Sequence, residues 1–128
     1  MASLPLISIV DDDHSVRESL QRLVRSVGFA VQIFASGETF LKSESLKHTS
    51  CLILDVRIPG MNGQEIQGKL RDAHYDIPII FITAHRNEKA RLQALADGAV
   101  DYLFKPFRDQ ALLSAIEAAL RLKVVATR

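Results

Sequence analysis

The chain has 128 residues, the size of one ordinary domain, and its 48% apolar and 24% charged residues exclude a disordered polymer. A formal net charge of +1 leaves no basic excess to grip nucleic-acid phosphates, and a single cysteine, Cys51, excludes an intrachain disulfide. No stretch approaches the roughly eighteen apolar residues of a membrane helix, and Asp11-Asp12-Asp13 interrupts the first apolar run too soon for a signal peptide, so a cytoplasmic location with no membrane contact is expected.

Strand-like and helix-like segments alternate along the chain. Residues 6–10 form a short apolar run between Pro5 and the aspartates. From Ser15, Val16, Leu20, Leu23, Val24 and Val27 recur at helical spacing and predict one buried face, with Gly28 as the stop. Residues 29–35 alternate as a second strand, Ser36-Gly37 turns the chain, and 38–42 read as a short helix. The polar stretch 43–50 reads as loop, with room for helical turns. Residues 51–54 are a third strand, apolar on both faces, and in it Cys51 reads as a small buried hydrophobe. Pro59-Gly60-Met61-Asn62-Gly63 has loop composition, and 64–73 follow as a helix. Residues 77–82 form a fourth strand, 87–96 a helix, 100–104 a fifth strand, and 108 to about 123 the last helix. That helix should bury Leu112, Leu113, Ile116, Ala119 and Leu120. Residues 1–123 are thus expected as one domain, and 124–128 as a tail or the start of a linker.

Five βα units in series imply an α/β fold with a parallel sheet covered by helices on both faces. In such sheets sites form beyond the carboxyl ends of the strands. Asp11, Asp12 and Asp13 follow strand one, Asp55 strand three, Thr83 strand four, and Lys105 with Pro106 strand five. A rim holding several carboxylates needs a cation, and oxygen ligands suit Mg²⁺. Beside a bound cation a carboxylate can act as a nucleophile toward a phosphoryl group, with a lysine and a hydroxyl to meet its oxygens.

The segments Ile9-Val10-Asp11-Asp12, Leu54-Asp55-Val56-Arg57-Ile58-Pro59-Gly60-Met61-Asn62-Gly63, Phe81-Ile82-Thr83-Ala84-His85 and Asp101-Tyr102-Leu103-Phe104-Lys105-Pro106-Phe107 resemble bacterial response-regulator receivers, in order and in spacing. The resemblance covers nearly the whole chain. It implies a flavodoxin-like (βα)5 three-layer sandwich with strand order 2-1-3-4-5. It also implies Asp55 as phosphoacceptor, assisted by Thr83 and Lys105. Mg²⁺, replaceable by Mn²⁺, would be held by Asp12, Asp55 and the backbone carbonyl of Arg57, with Asp11 acting through water. Thr83 and Tyr102 would be the switch pair, the ring moving inward on phosphorylation, and Lys105-Pro106 would be a cis peptide.

Arg57, His85 and Lys105-Pro106-Phe107 look most like the FixJ-type branch. In that branch Arg57 and His85 would tune the lifetime of the phosphorylated form. The resemblance implies a sensor histidine kinase as donor and a homodimer through the fourth helix and fifth strand. It also implies a LuxR-type DNA-binding domain, not in this chain, as output. The domain itself would then be a switch rather than an enzyme, with no direct contact to nucleic acid.

Simpler readings compete at each position. Asp13 or Ser15 could cap the first helix, Thr83 could merely end a strand, Lys105 could be a solvated surface lysine, and His14, His48 and His74 read as surface residues. One rival function is a haloacid-dehalogenase-type phosphatase, with Asp11 as nucleophile and Asp13 as acid, although Ser15 stands where that motif wants threonine or valine. A flavin- or nucleotide-binding module would need a glycine- or hydroxyl-rich loop after strand one, where the acidic triplet stands.

Overall fold

A computed structural model describes residues 4–126, with side chains through residue 122. Strands β1 (Leu6–Val10), β2 (Ala30–Phe34), β3 (Thr49–Asp55), β4 (Ile79–Thr83) and β5 (Asp101–Phe104) form one sheet in the order β2-β1-β3-β4-β5. Every pairing is parallel. Helices α1 (His14–Ser26), α2 (Gly37–Leu41), α3 (Gly63–Asp72) and α4 (Glu88–Ala96) make the crossovers, α5 (Asp109–Ala126) follows β5, and a 3₁₀ turn (Glu44–Lys47) precedes β3. This is the expected three-layer sandwich.

Its two cores follow from the strand pattern. Ile7, Ile9, Val31, Cys51, Ile53, Ile80 and Ile82 face one layer, where Leu20 and Val24 of α1 meet Leu112, Ile116 and Ala119 of α5. Val10, Phe34, Leu52, Leu54 and Phe81 face the other, against Phe40, Ile66, Leu70 and Ala94 from α2, α3 and α4. β3 and β4 contribute to both layers, which is why they read as unbroken apolar runs. Cys51 is fully buried, and burial pushes its thiol up to about 12.

Local chemistry sets the helix ends. The Asp13 carboxylate accepts the N–H groups of Ser15 and Val16, and Asn62 and Glu65 form a reciprocal capping box on α3. Gly28 follows α1 at φ +100, a value that glycine adopts without strain.

The structure departs from the sequence reading at several element ends, among them β4, which begins at Ile79 rather than at residue 77 and includes Thr83. Val27, expected on the buried face of α1, is its C-cap and is exposed, because the helix ends one residue earlier. Thr49 and Ser50 belong to β3 rather than to a loop, and the Thr49 hydroxyl lies 2.7 Å from that of Ser8 across the sheet. α5 continues through Ala126, so only residues 127 and 128 of the expected tail fall outside the described residues. Among the described residues no helix is long and apolar enough to cross a membrane.

Candidate functional site: an acidic rim facing one lysine

Parallel strands end on the same side of a sheet, so residues far apart in the chain converge there. Asp11 follows β1 directly and is fully buried. Asp55 is the last residue of β3 and is 6% exposed, while Asp12 is exposed. Carboxylate oxygens of the three lie within 4.8 Å of one another. Thr83, 1% exposed, ends β4. Lys105 follows β5 and reaches back into the cluster, its Nζ 2.9 Å from Asp11 Oδ2 and 3.3 Å from Asp55 Oδ2. The Lys105-Pro106 peptide is cis, as expected.

Each buried oxygen has a defined partner. Asp11 Oδ1 accepts the Asp13 N–H at 2.9 Å, and Asp55 Oδ1 accepts the Arg57 N–H at 3.1 Å. Thr83 Oγ1 accepts the His85 N–H at 3.1 Å. One ammonium nevertheless faces two buried carboxylates and a third at the surface. Burial first, and the charge of Asp11 second, push the Asp55 carboxyl up to about 6, against the opposing pull of Lys105 and the Arg57 N–H. Burial works against the charge on Lys105, but its hydrogen bond to Asp11 and the charges of Asp55 and Asp11 hold it above its ordinary value.

Such a donor set fits a hard divalent cation. It offers clustered carboxylate oxygens, no soft ligand, and an excess of negative charge that the lysine does not balance. An open groove of about 650 Å³ leads to it, lined among others by Asp12, Arg57, Asn62, Thr83, His85 and Tyr102. The side chains of Arg57 and His85 are exposed on its wall.

Tyr102 corrects one expectation. Its ring does not wait outside to move inward; it is already 5% exposed, packed against Phe81 and Phe104 at centroid distances of 5.7 Å each. Burial raises the phenol above its usual range, with Arg57 opposing. Phe104 in turn carries the Arg86 guanidinium over its face at 4.9 Å. Asp13 caps α1 through one carboxylate oxygen, the simpler role that the sequence offered for it. Sequence reasoning missed two supporting contacts. Arg17 donates to the Asp11 carbonyl at 2.8 Å, and Glu38 on α2 accepts the Met61 N–H at 2.9 Å. No local pattern announces either one, since the partners belong to different elements.

The fold and this rim define a doubly wound α/β domain built around a buried acidic cluster and one lysine. A family model described as the response regulator receiver domain matches residues 7–117, and the chain belongs to that family, the phosphorylation-signalling domains of two-component systems. It is 46% identical over 117 residues to the response regulator protein TodT of Pseudomonas putida, covering 91% of this chain and 52% of that protein. It is 39% identical over 113 residues to the transcriptional regulatory protein FixJ of Rhizobium meliloti, covering 88% and 55%. The solved structure of the response regulator StyR superposes with a TM-score of 0.90 at 45% identity, over 98% of this chain and 63% of that one. The chain spans about half the length of the relatives it matches.

Proposed function

We propose that Asp55 is the phosphoacceptor of this receiver and that Asp12, Asp55 and the Arg57 carbonyl hold Mg²⁺ or Mn²⁺, with Asp11 acting through water. The observation that carries this reading is the cluster of three carboxylates facing one lysine at the rim. A carboxyl at about 6 is largely ionised at neutral pH, so an Asp55 oxygen can attack the phosphorus of a phosphoryl donor. The new P–O bond makes an acyl phosphate. The bond to the donor breaks, and its electron pair leaves with the imidazole of a sensor histidine kinase or with the acetate of acetyl phosphate. Lys105 Nζ stands beside the attacking carboxylate and can pair with a phosphoryl oxygen. The Thr83 hydroxyl can donate to another. A bound cation would neutralise charge on the incoming group.

The domain is then a switch that takes part in its own phosphorylation and dephosphorylation and in no other catalysis. Arg57 and His85 flank the groove and set the access of hydrolytic water. Thr83, on moving toward the phosphoryl group, changes the packing of the Phe81-Tyr102-Phe104 stack beneath α4. Leu92 on α4 is 57% exposed and Leu95 is half-buried, an apolar pair suited to a homodimer through α4 and β5. The transcriptional regulatory relatives, about twice the length of this chain, point to a DNA-binding domain as the output that the switch controls. A cytoplasmic setting fits a partner that carries phosphohistidine.

Mass spectrometry after incubation with acetyl phosphate and Mg²⁺ tests the acceptor. One phosphoryl group is expected on the wild type and none on Asp55→Asn. Undiminished incorporation in that variant would remove Asp55 from the reading. Sedimentation with and without beryllofluoride tests the dimer, and a monomer under both conditions at tens of micromolar would exclude it.

A further inference from the structure

The loop from β3 to α3 carries Arg57, whose carbonyl the reading above places on the cation. That loop has few anchors of its own. Ile58 is buried and Met61 half-buried, but Arg57, Pro59, Gly60 and Asn62 are exposed. Ordering each residue of such a segment costs about 1–2 kcal/mol of backbone entropy, so something must hold it. Its ends are tied locally, through the Arg57 N–H to Asp55 Oδ1 and the Gly63 N–H to the Val56 carbonyl at 3.0 Å. Its middle is tied from another layer element. The Met61 N–H donates to Glu38 Oε1 of α2 at 2.9 Å, across 23 residues of sequence.

The approach at this point is close. Gly60 has φ +76, and a Cβ there would lie 2.8 Å from the same Glu38 oxygen, so the loop backbone passes directly over the carboxylate. Glu38 is itself well placed to hold it. Next to it, Gly37 packs so tightly on Ile66 of α3 that a Cβ would collide with that side chain. Two residues on, Phe40 is fully buried against Phe34 with ring centroids 5.3 Å apart. The Met61 N–H in turn holds the Glu38 carboxyl below its usual range, which keeps it a charged acceptor.

We propose that Glu38 is a positioning residue for the cation site: from α2, which supplies no group to the rim, its carboxylate fixes the path of residues 60 and 61 and thereby the direction of the Arg57 carbonyl. This rests on the reading that Asp12, Asp55 and that carbonyl bind a divalent cation. Partners that orient metal ligands typically change affinity by 10- to 100-fold when removed, whereas a staple that only stabilises the fold changes the melting temperature and leaves affinity alone.

Mg²⁺ binding, followed by amide shifts in NMR spectra of the metal-free protein, separates the two. Glu38→Ala should weaken Mg²⁺ roughly tenfold, and Glu38→Gln, which keeps an acceptor oxygen, should stay within about threefold of wild type. Thr39→Ala, in the same turn of α2 but without contact to the loop, should bind Mg²⁺ as wild type does. If Glu38→Ala does not fold, Glu38→Asp carries the test, because it keeps the charge but withdraws it by one methylene. Affinity within about twofold of wild type in Glu38→Ala or Glu38→Asp, whatever the melting temperature, would overturn the proposal, as would a Gln variant as weak as the Ala variant. Wild type and Asp55→Asn keep the underlying reading separate. Loss of Mg²⁺ in Asp55→Asn supports that reading whatever Glu38 does, and a wild type that binds no Mg²⁺ overturns both.

Discussion

Replacing Asp55 by asparagine should make the metal-free domain more stable at neutral pH, although it removes an ion pair. Asp55 is 6% exposed, and its carboxyl is pushed up to about 6 from an ordinary 3.8, by burial and then by the charge of Asp11. The opposing pull of Lys105 is already included in that direction, so the ionised carboxylate is on balance unfavourable in the fold. The folded state therefore holds the Asp55 proton more tightly than the unfolded chain does. The stability this proton contributes is complete below the unfolded value near 4 and is lost as pH rises through about 6. A shift from 3.8 to about 6 corresponds to at most about 3 kcal/mol, and the water and flexible lysine at the rim reduce it to roughly 1–2 kcal/mol. An asparagine of the same shape avoids this cost. For a chain of this length the gain amounts to roughly 3–6 °C in melting temperature. Urea melts of wild type and Asp55→Asn in a chelating buffer, from about pH 4.5 to about pH 7.5, read the difference directly. It should be largest at the upper end and shrink as pH falls. Added Mg²⁺ should close it by stabilising the wild type alone. A variant no more stable than wild type at the upper end, or a difference that does not change with pH, would refute the electrostatic account of this rim.

Lys105→Met leaves the buried Asp11 without its cation and should destabilise the domain by about 2 kcal/mol, less than for a fully buried pair because Lys105 is 22% exposed. The same change should move the Asp55 carboxyl further up, which carboxyl NMR titration measures; an unchanged midpoint would mean that Lys105 does not act on it. Gly37→Ala drives a methyl group into Ile66, which is fully buried and cannot swing away, so a loss of about 2 kcal/mol in urea melts is expected. An Arg57→Ala, His85→Ala double variant should alter the half-life of the phosphorylated form while Mg²⁺ affinity stays near wild type, because it keeps the Arg57 carbonyl. Equal dephosphorylation rates would remove both side chains from the tuning role.

Much of the architecture is written locally in this chain. β3 and β4 are apolar on both faces because each is central in the sheet and covered by helices on both sides. Gly28, Asn62 and Asn87 mark helix boundaries through contacts within a few residues of themselves. The candidate rim was also readable, since a parallel sheet places whatever follows each strand on one edge. That is how Asp11, Asp55, Thr83 and Lys105 come together from positions up to 94 residues apart.

Tertiary structure alone decided the rest, and in each case the deciding partner lies on another element. Thr49 joins β3 although it is polar, because the Ser8 hydroxyl meets it across the sheet. Tyr102 lies inward because Phe81 and Phe104 flank it on β4 and β5. Glu38 reads as one acidic residue in a short surface helix until the fold brings Gly60 and Met61 against it. Periodicity and capping act over a turn of helix or a pair of strand residues, so sequence reports them. Hydrogen bonds and packing between elements depend on where the sheet sets those elements, and that is known only once the chain has folded.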